Sequence, residues 1–138
     1  MRVLFATNIV LDVLLDRKPF SDFAVQLFSL NENRKIHGLL CATTITTIHY
    51  LASKAIGAQQ AEKEISKLMA LFEIAVVDSN VLEKAISSEV KDFEDAVITS
   101  AADCAEADAI ITRNIKDFRK SEIMVYEPTE FMAAYYAG

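Results

Sequence analysis

The stretch "VLFATNIVLDVLLD", residues 3–16, decides the fold class. A short apolar run ends at Ala6, and a segment with apolar residues at helical spacing follows at once. This pattern predicts a buried strand over residues 2–6 that turns directly into a helix over residues 8–16. Enzymes built from such units commonly carry a chemical group at the strand end. Here that position is held by Ala6, whose methyl side chain is neither a reactive group nor a metal ligand.

The same alternation of strand and helix continues along the chain. Further strands are predicted over residues 39–42, 73–77, 108–112 and 123–126. Further helices are predicted from the N-cap Ser21 to about residue 31, over 43–56 with Gly57 as its stop, over 58–72, 81–86 and 91–107, and from Pro128 onward. Strands separated by helices indicate an α/β fold with a mostly parallel sheet. We therefore expect residues 1–138 to form a single domain.

Composition excludes several function classes. With three glycines and two prolines among 138 residues, the chain has no glycine-rich phosphate loop and no long flexible linker. Cys41 and Cys104 are far apart in sequence and are predicted to be reduced core residues. The net charge of −6 argues against coating of nucleic acid over the whole surface, although it allows a local basic patch.

No segment of the sequence predicts a membrane location. No apolar run reaches the roughly 18 residues that a membrane span requires. The amino-terminal residues also lack the cleavage pattern of a signal peptide. We therefore expect a soluble, cytoplasmic protein without membrane partners.

Polar side chains follow the strand ends at which a parallel sheet places its site. Asp95 and Asp92 begin the helix predicted over 91–107, and Asp117 follows the strand that ends at residue 112. Because Asp12 lies one turn into the first helix, we expect Asp95 and Asp117 to converge with either Asp92 or Asp12.

Converging carboxylates favour a hard cation between them. Without such an ion the carboxylates repel each other and raise one another's pKa. Mg²⁺ and Mn²⁺ both prefer oxygen ligands in octahedral geometry. Ions of this kind activate water and neutralise the charge that develops on a phosphodiester. The residue set therefore favours metal-assisted phosphodiester hydrolysis.

Three blocks of the sequence also resemble a known family. "VLFATNIVLD", "KDFEDAVITSAA" and "ADAIITRNIKDF" are similar, in this order, to the signature blocks of the PIN domain family. The resemblance is closest to the bacterial PIN proteins grouped with VapC-type toxins, and it extends to the closing "YEPTEFM". It implies a three-layer α/β/α sandwich with a central, mostly parallel five-stranded sheet. It also implies a Mg²⁺- or Mn²⁺-dependent ribonuclease with a four-acid pocket and, in the toxin branch, a homodimer with a cognate antitoxin.

The match to the family's acids is incomplete. The first acid usually belongs to a D-T-N block, which here reads Ala6, Thr7 and Asn8. The second usually ends an S-x-x-T-x-x-E pattern, which here ends on His49. We therefore expect weak metal binding and little hydrolysis from this chain. Both an engineered inactivation and a naturally degraded site are consistent with the alanine.

The third and fourth acids of the family match Asp95 and Asp117 of this sequence. These two are the expected metal-binding and catalytic acids. Supporting hydrogen bonds are expected from the residues beside them and beside the alanine, namely Thr7, Asn8, Asp92, Thr112 and Asn114. Four cations within eight residues flank the pocket and are expected to contact an RNA backbone: Arg113, Lys116, Arg119 and Lys120.

Each of these residues also has a plain structural interpretation. Asp92 and Asp95 suit the positive end of a helix dipole, and Asp92 also suits its cap. Asp117 suits a turn, Asp12 a solvated helix surface, and His49 a partly buried position on a helix. The four cations suit a solvated turn.

Three hypotheses follow. The first is a PIN-like, metal-dependent endoribonuclease scaffold of the toxin type, impaired by Ala6. The second is a non-catalytic PIN-like module that binds RNA or a protein through the same face. The third is a flavodoxin-like ligand binder, against which the missing phosphate loop argues.

Overall fold

The computed structural model describes residues 1–138, and its centre is a sheet of five strands that all run parallel. The strands are β1 (Arg2–Phe5), β2 (His37–Cys41), β3 (Glu73–Ala75), β4 (Ala109–Ile111) and β5 (Met124–Tyr126). They lie side by side in the order β3-β2-β1-β4-β5. The helices are α1 (Thr7–Leu14), α2 (Phe20–Glu32), α3 (Ala42–Ile56), α4 (Ala58–Leu71), α5 (Ser79–Ile86), α6 (Phe93–Cys104) and α7 (Pro128–Ala137).

Strand β1 is the central strand because it is apolar on both faces. Val3 pairs with Gly38 of β2 on one side and with Ala109 of β4 on the other. Val3 and Phe5 point into a core that α1, α2, α3, α4 and α7 complete, whereas Leu4 points into a core completed by α5 and α6. Both faces of the sheet are therefore covered, which confirms the three-layer α/β/α fold.

Helix α2 begins two residues earlier than the predicted cap indicates, and that cap is wrong. The N-cap position is held by Pro19, and Ser21 lies inside the first turn. The buried Ser21 hydroxyl donates to Asp16 Oδ1 at 2.9 Å, so it is engaged by the preceding turn instead of capping the helix. Strand β2 likewise begins two residues earlier than expected, at His37, because it continues the pairing with β1.

Gly57 ends α3 as predicted, and it also opens α4. Its φ is +86° and its ψ is 153°, a conformation that side chains strongly disfavour. The two helices can therefore reverse direction within one residue.

None of the helices is long and apolar enough to cross a membrane.

The two cysteines differ from each other. Cys41 is buried at the end of β2, as predicted, and both cysteines are free thiols. Cys104 is exposed, so its prediction as a core residue is wrong. It is the last residue of α6, where the helix leaves the core, and its neighbour Asp103 is exposed as well.

Candidate functional site

A cavity of about 370 Å³ lies at the carboxyl ends of β1 and β4. Its walls are the first turn of α1, the first turns of α6 and the loop that follows β4. The lining residues are Ala6, Thr7, Asn8, Leu11, Arg17, Asp92, Glu94, Asp95, Ile98, Arg113, Asn114, Asp117 and Phe118. The structure thus brings together in one place the three sequence blocks that carry the predicted site.

The floor of the cavity is formed where β1 passes into α1. The backbone N–H of Ala6 donates to the carbonyl of Ile111 at 2.9 Å, which continues the pairing of β1 with β4. Ala6 is 3% exposed and contributes no side-chain oxygen. Beside it, the hydroxyls of Thr7 and Thr44 lie 3.0 Å apart and link α1 to α3.

Asn8 fixes the loop that follows β4. Its amide Nδ2 donates to Thr112 Oγ1 at 3.2 Å, and its Oδ1 accepts from the backbone N–H of Arg113 at 3.3 Å. Thr112 Oγ1 in turn accepts from the backbone N–H of Asn114 at 3.1 Å. Thr112 is completely buried, so it shapes the loop from behind, whereas Asn114 lines the cavity itself.

The acidic wall comes from the start of α6. Asp92 is the N-cap, as its structural interpretation predicts, and its Oδ1 accepts from the backbone N–H of Asp95 at 3.0 Å. Burial raises the pKa of Asp95 to about 6, and the negative charges of Asp92, Asp117 and Glu94 add to this rise. Asp117, which lies in a short 3₁₀ turn after β4, therefore faces Asp95 across the cavity.

Glu94 is a cavity residue that the sequence reasoning missed. Its Oε1 accepts from the hydroxyl of Thr47 on α3 at 3.4 Å, so it joins α6 to α3. Its position immediately before Asp95 was the available signal. His49, the predicted second-acid position, is absent from the cavity lining and instead lies 3.5 Å from Glu62 of α4.

Asp12 is completely buried, so its prediction as a solvated surface residue is wrong. Its Oδ1 accepts from Arg17 Nε at 2.9 Å and from Arg113 Nη2 at 3.1 Å, and its Oδ2 accepts from Arg113 Nε at 2.6 Å. These cations offset the cost of burying the carboxylate. Arg17, like Glu94, is a cavity residue that the sequence reasoning missed, and no local pattern indicated it.

Two further cavities adjoin the acidic one. One of about 350 Å³ shares Asp92 and Asp117 with it and is otherwise lined by Glu89, Val90, Lys91, Lys116, Arg119 and Lys120. Three of the four predicted RNA contacts lie there. The other cavity, of about 320 Å³, shares Arg113 with the acidic cavity, and Arg113 is the fourth predicted RNA contact. Its lining also includes Phe20, Phe23 and Pro128. The acidic cavity therefore lies between a basic surface and an apolar one.

The acids of the cavity are of the type that binds Mg²⁺ or Mn²⁺, since carboxylate oxygens suit these hard ions. No three His, Cys, Asp or Glu side chains are grouped so that they could hold an ion, however. Ala6 leaves the end of β1 without an oxygen ligand. The residues present therefore form an incomplete site for a divalent ion, and we derive no chemical step through one.

Comparisons with solved structures find the same fold in several bacterial proteins. VapBC2 from Rickettsia felis, solved with a DNA fragment from its promoter, has a chain that is 18% identical, with a TM-score of 0.69 over 92% of this chain and 98% of that one. A toxin–antitoxin complex from Klebsiella pneumoniae has a chain that is 23% identical, with a TM-score of 0.70 over 91% and 97%. VapC20 from Mycobacterium tuberculosis, described as a toxin that cleaves the sarcin–ricin loop, is 11% identical, with a TM-score of 0.64 over 78% and 86%.

Sequence comparisons identify the family. A search of curated proteins finds no significant match. A family model described as a PIN domain matches residues 2–116, which include the first two blocks of the cavity and the third block as far as Lys116, one residue before Asp117. This chain therefore belongs to the PIN domain family.

Proposed function

We propose that this chain is a PIN-type endoribonuclease scaffold, the toxin of a toxin–antitoxin pair, whose hydrolytic activity is impaired by Ala6. Membership of the PIN domain family implies a divalent metal, and Mg²⁺ or Mn²⁺ is the cofactor that the proposal assigns. Residues 1–138 would form one such domain.

The observation that carries the proposal is the crowding of acids in one cavity. Asp92, Glu94, Asp95 and Asp117 all line it, and their mutual repulsion contributes to the raised pKa of Asp95. A fold does not gain stability from unpaired like charges, so such crowding is typical of functional sites. Asp95 and Asp117 would be the principal metal ligands, supported by the hydrogen bonds of Thr7, Asn8 and Asn114.

Ala6 explains why the set is incomplete. It occupies the end of the central strand, where a carboxylate would complete the acidic cavity from the side opposite α6. A methyl group neither ligates a cation nor offsets its charge. We therefore propose that this chain binds Mg²⁺ or Mn²⁺ weakly and turns over RNA slowly or not at all.

The partners in the proposal come from the structural relatives. Several relatives were solved as toxin–antitoxin complexes, and we infer a cognate antitoxin for this chain. RNA is the proposed substrate because the basic cavity of Lys116, Arg119 and Lys120 adjoins the acids. A homodimer is also proposed, and sedimentation equilibrium tests it directly.

A second candidate function is a non-catalytic module that binds RNA or a protein through the same face. The absence of any three grouped ligands favours it. So does the apolar cavity beside Arg113, since exposed Phe20 and Phe23 suit a partner surface.

The deciding experiment compares RNA cleavage by this chain, by Ala6→Asp and by Ala6→Asn, with Mg²⁺ or Mn²⁺ and a mixed RNA pool. We expect EDTA-sensitive cleavage by Ala6→Asp alone, because asparagine matches its size without its charge. The double variant Ala6→Asp/Asp95→Asn should again be inactive, which excludes a contaminating nuclease. If all variants fold and none cuts RNA, the nuclease proposal fails and the binding module takes its place.

A further inference from the structure

Asp12 is the only charged side chain that is buried in this molecule, and the proposed nuclease chemistry does not use it. It lies on α1, behind the acidic cavity, and it holds two arginines that line that cavity. We propose that Asp12 positions Arg17 and Arg113 as a clamp for one phosphate group of a bound RNA strand. The inference rests on the proposed function in taking RNA as the ligand.

The hydrogen bonds define which atoms are available to a phosphate. Asp12 engages Nε of Arg17 together with Nε and Nη2 of Arg113, and Arg17 Nη2 donates to the carbonyl of Asn8 at 3.3 Å. Neither Arg17 Nη1 nor Arg113 Nη1 has an acceptor within the protein. Two guanidinium groups thus share one buried anchor, and each keeps an outward donor group for an oxyanion.

The two arginines are ordered before any ligand arrives. Arg113 is 25% exposed in its side chain, and its guanidinium carbon lies 3.9 Å from the ring centroid of Phe20, which fixes its plane. Arg17 is 39% exposed and is held at both its Nε and Nη2 atoms. Little side-chain entropy remains to be lost on binding, which favours a specific contact over a diffuse one.

The charges also leave a surplus that a phosphate would neutralise. One buried carboxylate faces two guanidinium groups, so the cluster carries one net positive charge beside four cavity acids. The basic cavity with Lys116 and Arg119 adjoins the acids at Asp92 and Asp117, whereas the clamp lines the acidic cavity itself. A strand with regularly spaced phosphates fits cations at both places, and this favours RNA over a single carboxylate ligand.

The first test measures RNA binding without cleavage. A fluorescein-labelled, mixed-sequence single-stranded RNA is titrated in EDTA with this chain and with Arg17→Gln, Arg113→Gln and the matched surface control Arg34→Gln. Each clamp variant should weaken RNA binding about tenfold. The slope of the logarithm of the association constant against the logarithm of the salt concentration should become shallower by about 0.7. The control should stay within about twofold of the parent, as expected for a change that removes one diffuse surface charge. Equal losses in all three variants would overturn the clamp.

The second test separates positioning from charge. Asp12→Asn makes the cluster more positive, so simple attraction predicts tighter RNA binding, whereas the clamp predicts weaker binding because the arginines lose their anchor. Arg113→Lys keeps the positive charge but loses the planar guanidinium group whose Nε and Nη2 both bind Asp12, and the clamp again predicts weaker RNA binding. Tighter or unchanged binding by folded Asp12→Asn overturns the proposal, and should that variant unfold, Arg113→Lys decides alone.

The clamp and the nuclease proposal fail in different ways. If Ala6→Asp does not cleave RNA but the arginine variants lose RNA binding, the clamp stands and the nuclease proposal fails. If Ala6→Asp cleaves RNA and adding Arg17→Gln leaves its KM unchanged, the nuclease stands and the clamp fails. An acidic peptide that binds through Arg113 while RNA does not would assign this surface to a protein partner and overturn the clamp.

Discussion

The backbone N–H of Asp95 donates to the carboxylate of Asp92 at 3.0 Å, so one acid of the cavity caps the helix that carries another. The cap stabilises the first turn of α6. It also holds a negative charge close to Asp95. Burial and the neighbouring acids raise the pKa of Asp95 to about 6. The fold therefore maintains an acid pair that costs stability at neutral pH.

Asp95→Asn should stabilise the protein above pH 6 and have only a small effect near pH 4. Well below pH 3.8 the carboxyl is protonated in both the folded and the unfolded state, so it carries no penalty there. Between pH 4 and 6 the unfolded state loses this proton first, and the free energy of unfolding falls as the pH rises. We expect a gain of about 1–3 kcal/mol at pH 7.5, reduced by solvent screening.

Urea denaturation at both pH values measures this gain. The control is Glu83→Gln, which removes an exposed acid of α5 outside the cavity. An equal gain at pH 4, or an equal gain from the control, would exclude the acid cluster as its cause.

Ala6→Asp should destabilise the protein without metal and make it respond to Mn²⁺. The new carboxylate would be almost completely buried and would face Asp95, so we expect a loss of about 2 kcal/mol or more. Millimolar Mn²⁺ should restore the melting temperature, because an ion that binds only the folded state stabilises it.

Differential scanning calorimetry with and without Mn²⁺ measures this effect. Ala6→Asn is the matched control and should show no response to the metal. A variant with the same melting temperature in Mn²⁺ and in EDTA would show that the acids do not form a metal site even with the fourth carboxylate.

Glu73→Gln should cost little stability at neutral pH, and the cost should vanish in acid. Hydrogen bonds from Arg2 and, to a lesser degree, His37 lower the pKa of Glu73 to about 2. A lowered pKa contributes stability above pH 4.5 that is lost as the pH falls through about 2. Because Arg2 and Glu73 are both partly exposed to solvent, we expect less than about 1 kcal/mol in urea denaturation at pH 7. A difference that persists in high salt would point to packing instead of charge.

Gly38→Ala should destabilise the sheet through a steric clash. A Cβ at this position would lie 2.7 Å from Phe72 Cε1 and 2.8 Å from Asn31 Oδ1. Asn31 cannot move freely, because its Oδ1 accepts from Gly38 N at 2.8 Å and its Nδ2 donates to the carbonyl of Leu71 at 3.0 Å. We expect a loss of about 1–3 kcal/mol in thermal unfolding. Gly138→Ala, where the nearest atom is 3.5 Å away, is the neutral control.

The fold was predictable because its strands are apolar and its helices are amphipathic. Continuous apolar runs such as residues 3–5 and 109–111 can be satisfied only at the centre of a covered sheet. The boundaries were less predictable. The start of α2 depends on the contact of Ser21 with Asp16, and the start of β2 depends on pairing with β1. Neither interaction has a signal in the local sequence.

The candidate site was predictable only in part, for the same reason. Strand ends and the D-T-N-like block indicated the place of Asp95 and Asp117. The burial of Asp12 depends on Arg113, which is 101 residues away in sequence, and no local pattern indicates that pair. The family resemblance predicted that the second-acid position on α3 is held by His49, but His49 lies beside Glu62 of α4. The acid that contacts α3 is Glu94, from the first turn of α6.

The central position of β1 also has a consequence for the order of synthesis. During synthesis, β1 finds one neighbour in β2, but its other neighbour, β4, begins only at residue 109. Asp117 joins the cavity later still. A growing chain that ends before β4 can form helices and three of the five strands, yet the pocket does not exist in it. Whatever the pocket does, it can do only after the segment through Asp117 has been synthesised.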